Sequence, residues 1–230
     1  MPIEKIHRVT YIHGWLFGSY IWDDAINYFS KSLVHNYITL SGYGEKSNVT
    51  NTTKIDHLLS SANKEDMIIA YSYSASIILN SNKLSSCLGT MILINPFFKP
   101  KEGTIESLYA EIKSNSRDAL RKFMFNCIKN RTNNKENFIR LTNLLNNNFI
   151  PSIDILCLGL EDLKKINKSN KDISSTKNVH IIQSSHDQVT SLDKYNQLKK
   201  NKFSTYTLDD SPHYPFFEFE KIYDIIKKIL

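Results

Sequence analysis

The stretch "MIIAYSYSASIIL", Met67–Leu79, decides the fold because it can be divided in two ways. Its first half is an apolar run without polar alternation, which is typical of a strand buried on both faces. From Tyr73 onward the apolar residues follow helical spacing. The stretch is either one long buried element or a strand that turns sharply into a helix with Ser72 at the bend. The segments on both sides favour the second division.

Short apolar strands and helices alternate along most of the chain, which predicts an α/β fold with a mainly parallel, doubly wound sheet. The predicted strands are Arg8–His13, Asn36–Leu40, Asp66–Ser72, Gly89–Pro96, Asn178–Ser185 and Lys202–Leu208. The predicted helices are Ser19–Leu33, Ile55–Ala62, Tyr73–Leu79, Ser191–Lys200 and Pro215–Leu230. We expect residues 1–230 to form one domain, since this length and 41% hydrophobic content suffice for one sizeable core.

The alternation is interrupted between Phe97 and Asn167, where the sequence is helical, polar and charged. This segment, about residues 97–167, is predicted to be a helical lid insertion. Ten basic and five acidic residues lie between Phe97 and Ile150, so most of the net charge of +6 is concentrated there. The excess predicts an acidic partner or, equally, a solvated helical face. Nothing resembles a nucleic-acid-binding module.

The sequence also bears on the compartment in which the protein acts. No apolar run reaches the roughly 18 residues of a membrane span, and the N-terminal residues do not resemble a secretory signal. Cys87, Cys127 and Cys157 are odd in number, far apart and without metal-ligand spacing. They indicate buried free thiols in a reducing compartment, so we expect a cytoplasmic protein that does not bind membranes.

Ser72 is the candidate nucleophile. A serine between a central strand and a helix is held on a strained turn, and small residues are needed two positions to either side. Here Ala70 and Ser74 stand where glycines usually do. On its own this match is weak, because a serine without chemistry can occupy the same bend. Ser74 is the less suitable nucleophile, since it falls in the first turn of the helix.

Two later segments supply a carboxylate and a base. Asp187 follows the predicted fifth strand, and His213 lies in the loop between the last strand and the last helix. Serine needs a base, and imidazole needs a carboxylate that fixes its tautomer. Asp209 or Asp210 could also orient His213, although we favour Asp187. His186 adjoins Asp187 but lies in the wrong loop for the base.

The first strand ends in "IHGW", which provides a turn for stabilising an oxyanion. The backbone N–H groups of Trp15 and Tyr73 are the predicted donors, and each such donor is worth a few kcal/mol in the transition state. The alternative for His13 and Trp15 is core packing at the end of a strand.

The order Ser72, Asp187, His213 is that of the α/β-hydrolases, and the chain resembles this superfamily over nearly its whole length. It is most similar to the pimeloyl-acyl-carrier-protein methyl ester esterases of biotin synthesis (BioH type). The resemblance rests on "IHGWLFGSYIWDDAINYFS", "LSGYGEKS", "SIDILCLGLEDLKKIN" and "SPHYPFFEFEKIYDII". Only a few residues precede "VTYIHGW", so we expect the family's opening β-hairpin to be missing.

The resemblance implies further site residues. It implies a basic lid that docks an acidic carrier protein, and a channel for the acyl chain. The residues that correspond to the carrier-binding sites, or lie next to them on the lid, are Arg117, Arg121, Lys122, Lys135 and Arg140. Those expected to contact the acyl chain are Trp15, Tyr71, Phe97 and Phe123.

The resulting hypothesis is a monomeric serine carboxylesterase that hydrolyses the methyl ester of pimeloyl-acyl carrier protein. This chemistry requires no metal and no organic cofactor. Two alternatives stay open at this point. One is a general short-acyl esterase with the same three residues, and the other is a catalytically silent α/β-hydrolase that acts as a binding protein.

Overall fold

The structure is a computed structural model, and it describes most of the chain. The described residues are 6–44, 49–97, 103–130, 132–168, 178–190 and 203–230. The predicted helix Ser191–Lys200 lies outside these ranges. Among the residues described, no helix is long and apolar enough to cross a membrane.

Six strands of the described part of the chain form one sheet in the spatial order β2-β1-β3-β4-β5-β6, and all five neighbouring pairs are parallel. The described strands therefore include no antiparallel hairpin. β3 and β4 are buried at every position because helices cover both faces of the sheet. The strands are β1 (Arg8–Ile12), β2 (Val34–Ile38), β3 (Asp66–Tyr71), β4 (Thr90–Ile94), β5 (Val179–Ser184) and β6 (Ser204–Leu208). The predicted fold class is thus confirmed.

Six α-helices lie within the described ranges. They are α1 (Asn51–Ser61), α2 (Tyr73–Asn80), α3 (Thr104–Ile128), α4 (Asn134–Asn146), α5 (Ile153–Lys168) and α6 (Phe219–Ile229). α3, α4 and α5, called here the insertion helices, lie between β4 and β5 in the chain, where the charged segment was predicted to be helical. α5 packs against both α2 and α3. That these helices move as a lid, and that the chain is one domain, stay predictions.

The predicted helix Ser19–Leu33 is wrong. Two short 3₁₀ turns, Ser19–Trp22 and Ala25–Tyr28, stand in its place, and Ser19 does not cap either of them. The turns bring the Trp22 ring against Phe216, with centroids 4.8 Å apart. Burial of this ring in the core prevails over the helical spacing of the apolar residues.

The parallel register brings the carboxyl ends of the central strands to one edge. Ile12 of β1 is opposite Ala70 of β3, and Tyr71 is opposite Ile94 of β4. Side chains that follow these strands therefore meet at the same edge of the sheet, which is where α/β proteins build their sites.

Candidate active site

Ser72 occupies the turn between β3 and α2, as predicted. Its φ of 53° and ψ of −107° lie outside the ordinary regions for a residue with a side chain. The turn is held because the Ser72 N–H donates to Ile94 O at 2.8 Å and the Ser76 hydroxyl donates to Ser72 O at 2.7 Å. Ser72 is buried, with only 3% of the residue accessible. It lines a cavity whose other walls include residues of the insertion helices.

Ser74 stands where a glycine was expected, and the structure accommodates its side chain beside the turn. The Ser74 hydroxyl lies 3.1 Å from two backbone carbonyl oxygens, those of Ile12 and Tyr71, so a serine fits where a glycine was expected. Backbone crowding falls on Gly14 instead. A Cβ there would lie 2.7 Å from the Tyr71 ring and 3.2 Å from the Cβ of Ser72. The position that needs a glycine is therefore Gly14, in the loop after β1, and not position 74 beside Ser72.

The structure brings the three predicted catalytic residues together. Ser72 Oγ lies 3.0 Å from His213 Nε2, and His213 Nδ1 lies 2.8 Å from Asp187 Oδ2. All three residues are buried. With Nδ1–H donating to the carboxylate, Nε2 is left as the acceptor for the serine proton, which is the arrangement that a general base needs.

The Asp187 carboxylate is surrounded by donors besides His213. Its Oδ1 accepts the backbone N–H groups of Val189 and Thr190, both at 2.8 Å. Its Oδ2 accepts from the Gln183 amide at 3.1 Å and from the Thr190 hydroxyl. Donors of this kind stabilise an ionised carboxylate away from water and hold it in one orientation.

The competing residues lie elsewhere. The carboxylate of Asp210 lies 3.9 Å from His186 Nδ1, and Asp209 is exposed. The backbone N–H of His186 donates to Ser211 O at 2.9 Å, so His186 lies beside the base-bearing loop and does not take the place of His213. Asp187 is therefore the carboxylate beside His213.

The local backbone is compatible with Trp15 and Tyr73 as the two predicted oxyanion donors. Tyr73 is the first residue of α2, so its N–H has no acceptor within the helix. In the loop after β1, the N–H of Leu16 is bound to the Tyr43 hydroxyl at 3.2 Å. Trp15 lies between Gly14 and Leu16 and stays the predicted donor from this loop. The role of Trp15 and Tyr73 in stabilising an oxyanion stays a prediction.

Both of these residues are tied to the insertion by their side chains, which the sequence did not predict. The Tyr73 hydroxyl donates to Asp162 at 3.0 Å, and the Trp15 indole N–H donates to Leu156 O at 2.9 Å. Both acceptors belong to α5. Gly159 lets the indole approach this helix, since a Cβ there would lie 2.8 Å from the Trp15 ring.

A cavity of about 510 Å³ opens above Ser72, within the size range of small-molecule sites. Trp15, Phe97 and Phe123 line it, and the Trp15 and Phe123 rings meet edge to face at 4.8 Å. Tyr71 does not line this cavity, so its predicted contact with the acyl chain is wrong. The Tyr71 ring is buried in the core against Phe216, with ring centroids 4.8 Å apart.

The predicted basic residues are divided between several places. Arg121, Lys122 and Lys135 surround a groove between α3 and α4, whose apolar walls are Phe125 and Phe138. This groove is called the basic groove below. Two other predicted residues lie outside it: Arg140 stacks on the Phe217 ring at 4.2 Å, and Arg117 is exposed on α3.

The sequence reasoning missed three buried residues of the site, Asn95, Gln183 and Thr190. Gln183 and Asn95 could have been noticed as polar residues in or just after an apolar strand, whereas Thr190 lies further along the loop after β5. Within the described ranges, no group of three or more His, Cys, Asp or Glu side chains is arranged to hold a metal ion.

Comparison with known proteins places this geometry in a known fold. An esterase (EaEST) from Exiguobacterium antarcticum is 14% identical, with 97% of this chain and 91% of that chain covered and a TM-score of 0.72. The non-heme bromoperoxidase BpoC from Mycobacterium tuberculosis is 15% identical at the same coverage, with a TM-score of 0.73.

BioG from Haemophilus influenzae is 14% identical over 92% of this chain and 90% of that chain, with a TM-score of 0.60. This chain has the α/β-hydrolase fold. No model of a protein family matches the sequence, and neither does any curated protein. At these identities the likeness establishes the hydrolase fold and not the substrate.

Proposed function

We propose that the protein is a serine carboxylesterase that hydrolyses the methyl ester of pimeloyl-acyl carrier protein in the cytoplasm. One observation carries the hydrolase part of the proposal. Ser72, His213 and Asp187 form a continuous hydrogen-bonded chain, with distances of 3.0 and 2.8 Å, at the floor of an apolar cavity. The choice of substrate is supported by the sequence resemblance and by the basic groove.

The proposed reaction begins with attack of Ser72 Oγ on the ester carbonyl. His213 Nε2 accepts the serine proton, and Asp187 stabilises the imidazolium that forms. The backbone N–H groups of Trp15 and Tyr73 hold the oxyanion. Collapse of the tetrahedral intermediate releases methanol, which takes its proton from His213, and leaves Ser72 acylated.

Deacylation repeats these roles with water as the nucleophile. His213 takes a proton from the water as it attacks the acyl-enzyme, and the second tetrahedral intermediate then collapses. Ser72 recovers its proton from His213 as the product leaves, which is pimeloyl-acyl carrier protein with a free carboxylate in place of the methyl ester. The acyl chain would lie along Trp15, Phe97 and Phe123, whose apolar surfaces favour a methylene chain over a charged group.

The basic groove is the proposed contact for the carrier protein. Arg121 stacks over Phe138 at 5.8 Å, and Lys122 is paired with Glu111 at 3.0 Å. An acidic helix could place carboxylates on the cations while its apolar residues meet Phe125 and Phe138. Glu111 and Lys122 also line the cavity above Ser72, so a partner bound here would lie beside its entrance.

The test is the hydrolysis rate of the purified protein on pimeloyl-acyl-carrier-protein methyl ester, compared with a small free methyl ester at low and moderate salt. We expect faster cleavage of the carrier-bound ester, with an advantage that falls as salt screens the charges over a Debye length of about 10 Å at 0.1 M. Equal rates on both esters would favour a general short-acyl esterase. Cleavage of neither would favour a silent binding protein.

A matched pair of variants tests the basic groove. Lys135→Glu reverses a charge in the groove, and Lys83→Glu makes the same change in net charge on an exposed residue outside the insertion helices. We expect Lys135→Glu to lower kcat/KM for the carrier-bound ester roughly threefold to tenfold at low salt. The free-ester rate should not change. Equal effects of the two variants would contradict the proposed docking site.

A further inference from the structure

The loop that carries His213 has little regular structure of its own. It runs from the end of β6 at Leu208 to the 3₁₀ turn that begins at Phe216. His213 is fully buried in this loop, yet its imidazole must meet Ser72 on one side and Asp187 on the other. The position of its main chain therefore has to be set by contacts from other elements.

Two buried side chains donate hydrogen bonds to the backbone carbonyl of His213. The Tyr71 hydroxyl lies 3.0 Å from this oxygen, and Asn95 Nδ2 lies 2.8 Å from it. A carbonyl oxygen has two lone pairs and can accept both bonds at once. Tyr71 directly precedes Ser72 in the chain, and its burial holds the pKa of the phenol well above the ordinary value. The hydroxyl consequently keeps its proton and stays a donor.

The orientation of the Asn95 amide is fixed by backbone groups. Its Oδ1 accepts the N–H of Ser184 at 2.7 Å, and its Nδ2 also donates to Ser184 Oγ at 2.9 Å. A backbone N–H can only donate and a carbonyl can only accept, so the reversed amide would lose its bonds to Ser184 N and His213 O. Asn95 has a φ of 48°, a left-handed conformation that asparagine adopts more readily than most residues.

The end of β4 is thereby joined to all three segments of the catalytic site. Ile94 O accepts the N–H of Ser72, and Asn95 holds both Ser184, three residues before Asp187, and the carbonyl of His213. We propose that Asn95 and Tyr71 are positioning residues for the base, holding the main chain of His213 so that its imidazole reaches Ser72 and Asp187 together. This inference rests on the proposed hydrolase function.

A purely structural role would predict a different result. If the two residues only stabilise the fold, their loss should lower stability and leave the rate of folded protein unchanged. If they position the base, a small shift of the loop lengthens a reacting contact, and misplacement of about 1 Å can cost on the order of 10²-fold in rate. Binding of a small ester in the cavity should be unaffected, since neither residue lines it.

The first variant is Tyr71→Phe, which keeps the ring that packs against Phe216 and removes only the hydroxyl. The second is Asn95→Asp, which keeps the shape and removes both donated hydrogen bonds. The matched control is Tyr11→Phe. Tyr11 is equally buried in the adjacent strand β1, and its hydroxyl is hydrogen-bonded at 3.0 Å to His35, away from the catalytic site.

Two readouts are measured for each folded variant. One is kcat and KM on p-nitrophenyl acetate. The other is the rate at which a fluorophosphonate labels Ser72, a reaction in which the serine oxygen bonds to phosphorus, fluoride leaves and His213 accepts the proton. Both report the reactivity of Ser72 and neither depends on the carrier protein, so an error in the proposed substrate would not affect them.

We expect Tyr71→Phe to lower kcat and the labelling rate roughly fivefold to twentyfold, with KM unchanged within about twofold, and Asn95→Asp to lower both further. Tyr11→Phe should keep wild-type rates. The inference is overturned if folded Tyr71→Phe keeps wild-type kcat and labelling, or if Tyr11→Phe lowers them equally. A wild-type protein that reacts with neither reagent would instead overturn the proposed hydrolase function, and this inference with it.

Discussion

The carboxyl edge of the sheet and the insertion helices differ in how their functional residues are held. At the edge, Ser72, Asp187 and His213 are buried, and each is held by hydrogen bonds from neighbouring segments. On the insertion helices, Arg121 and Lys135 are exposed around a shallow groove. Buried polar groups whose hydrogen bonds are all satisfied fix the geometry of a site, whereas exposed charges act at longer range and are screened by salt. We therefore expect chemistry to depend on the edge and partner choice to depend on the insertion.

The largest effect expected at the edge is that of Ser72→Ala. It removes the proposed nucleophile, so ester hydrolysis should fall by at least roughly 10⁴-fold. Circular dichroism and the free energy of unfolding should stay close to wild type. Ser74→Ala is the companion variant, and it should retain activity within roughly tenfold because it loses only hydrogen bonds to backbone groups, the carbonyls of Ile12 and Tyr71 and the N–H of Tyr71. Loss of activity in Ser74→Ala alone would contradict the assignment.

Asp187→Asn comes next in size. An asparagine cannot stabilise the imidazolium or favour the correct tautomer, so kcat should fall on the order of 10³-fold. Asp210→Asn is the matched control, because Asp210 is the nearby carboxylate that faces His186 and not His213. Steady-state kinetics on a small ester distinguishes the two. A larger effect at Asp210 would reassign the acid to the base-bearing loop.

His13 tests how the edge depends on pH. Its Nδ1–H donates to Gly14 O at 2.9 Å and its Nε2 accepts the N–H of Leu40 at 3.0 Å, so the ring is neutral. Burial, partly opposed by the bond to Gly14, lowers the pKa of His13 from 6.5 to about 4. A histidine with a lowered folded pKa stabilises the fold above pH 6.5 and loses this contribution as pH falls towards 4. The loss approaches about 3 kcal/mol.

Urea unfolding at pH 7 and at pH 4 measures this loss of stability. His13→Asn should remove the part of the pH dependence due to His13. His57→Asn, a change at an exposed histidine of α1, should leave it in place. Identical pH dependence in wild type and His13→Asn would show that the buried ring does not control acid stability.

The smallest effect is expected where the insertion meets the edge. Tyr73→Phe removes the hydroxyl that donates to Asp162 and accepts from Asn51, and it keeps the backbone N–H proposed for the oxyanion. We expect kcat to fall roughly twofold to tenfold. Asp162→Leu should have the same effect, whereas Asp162→Asn retains an acceptor for the Tyr73 hydroxyl and should keep the wild-type kcat. If kcat is unchanged in Tyr73→Phe, the contact between Tyr73 and α5 does not influence the oxyanion donor at Tyr73.

Local pattern was enough for the alternation of strands and helices, and it failed where distant packing prevailed. β3 and the turn at Ser72 follow directly from an apolar run that ends at a small polar residue. The segment after Gly18 was predicted to be helical because its apolar residues have helical spacing. It forms 3₁₀ turns instead, since Trp22 packs against Phe216 from the far end of the chain.

The sequence by itself determined the six strands and their order along the chain. It also determined the three residues that meet at the edge, because each follows a strand and parallel strands end together. Only the tertiary structure decided what holds them. Tyr71 was expected to contact the acyl chain, yet it donates to His213, which is 142 residues away. Asn95 reaches the same carbonyl across 118 residues. Such bonds depend on side-chain direction and strand order, which no local periodicity encodes.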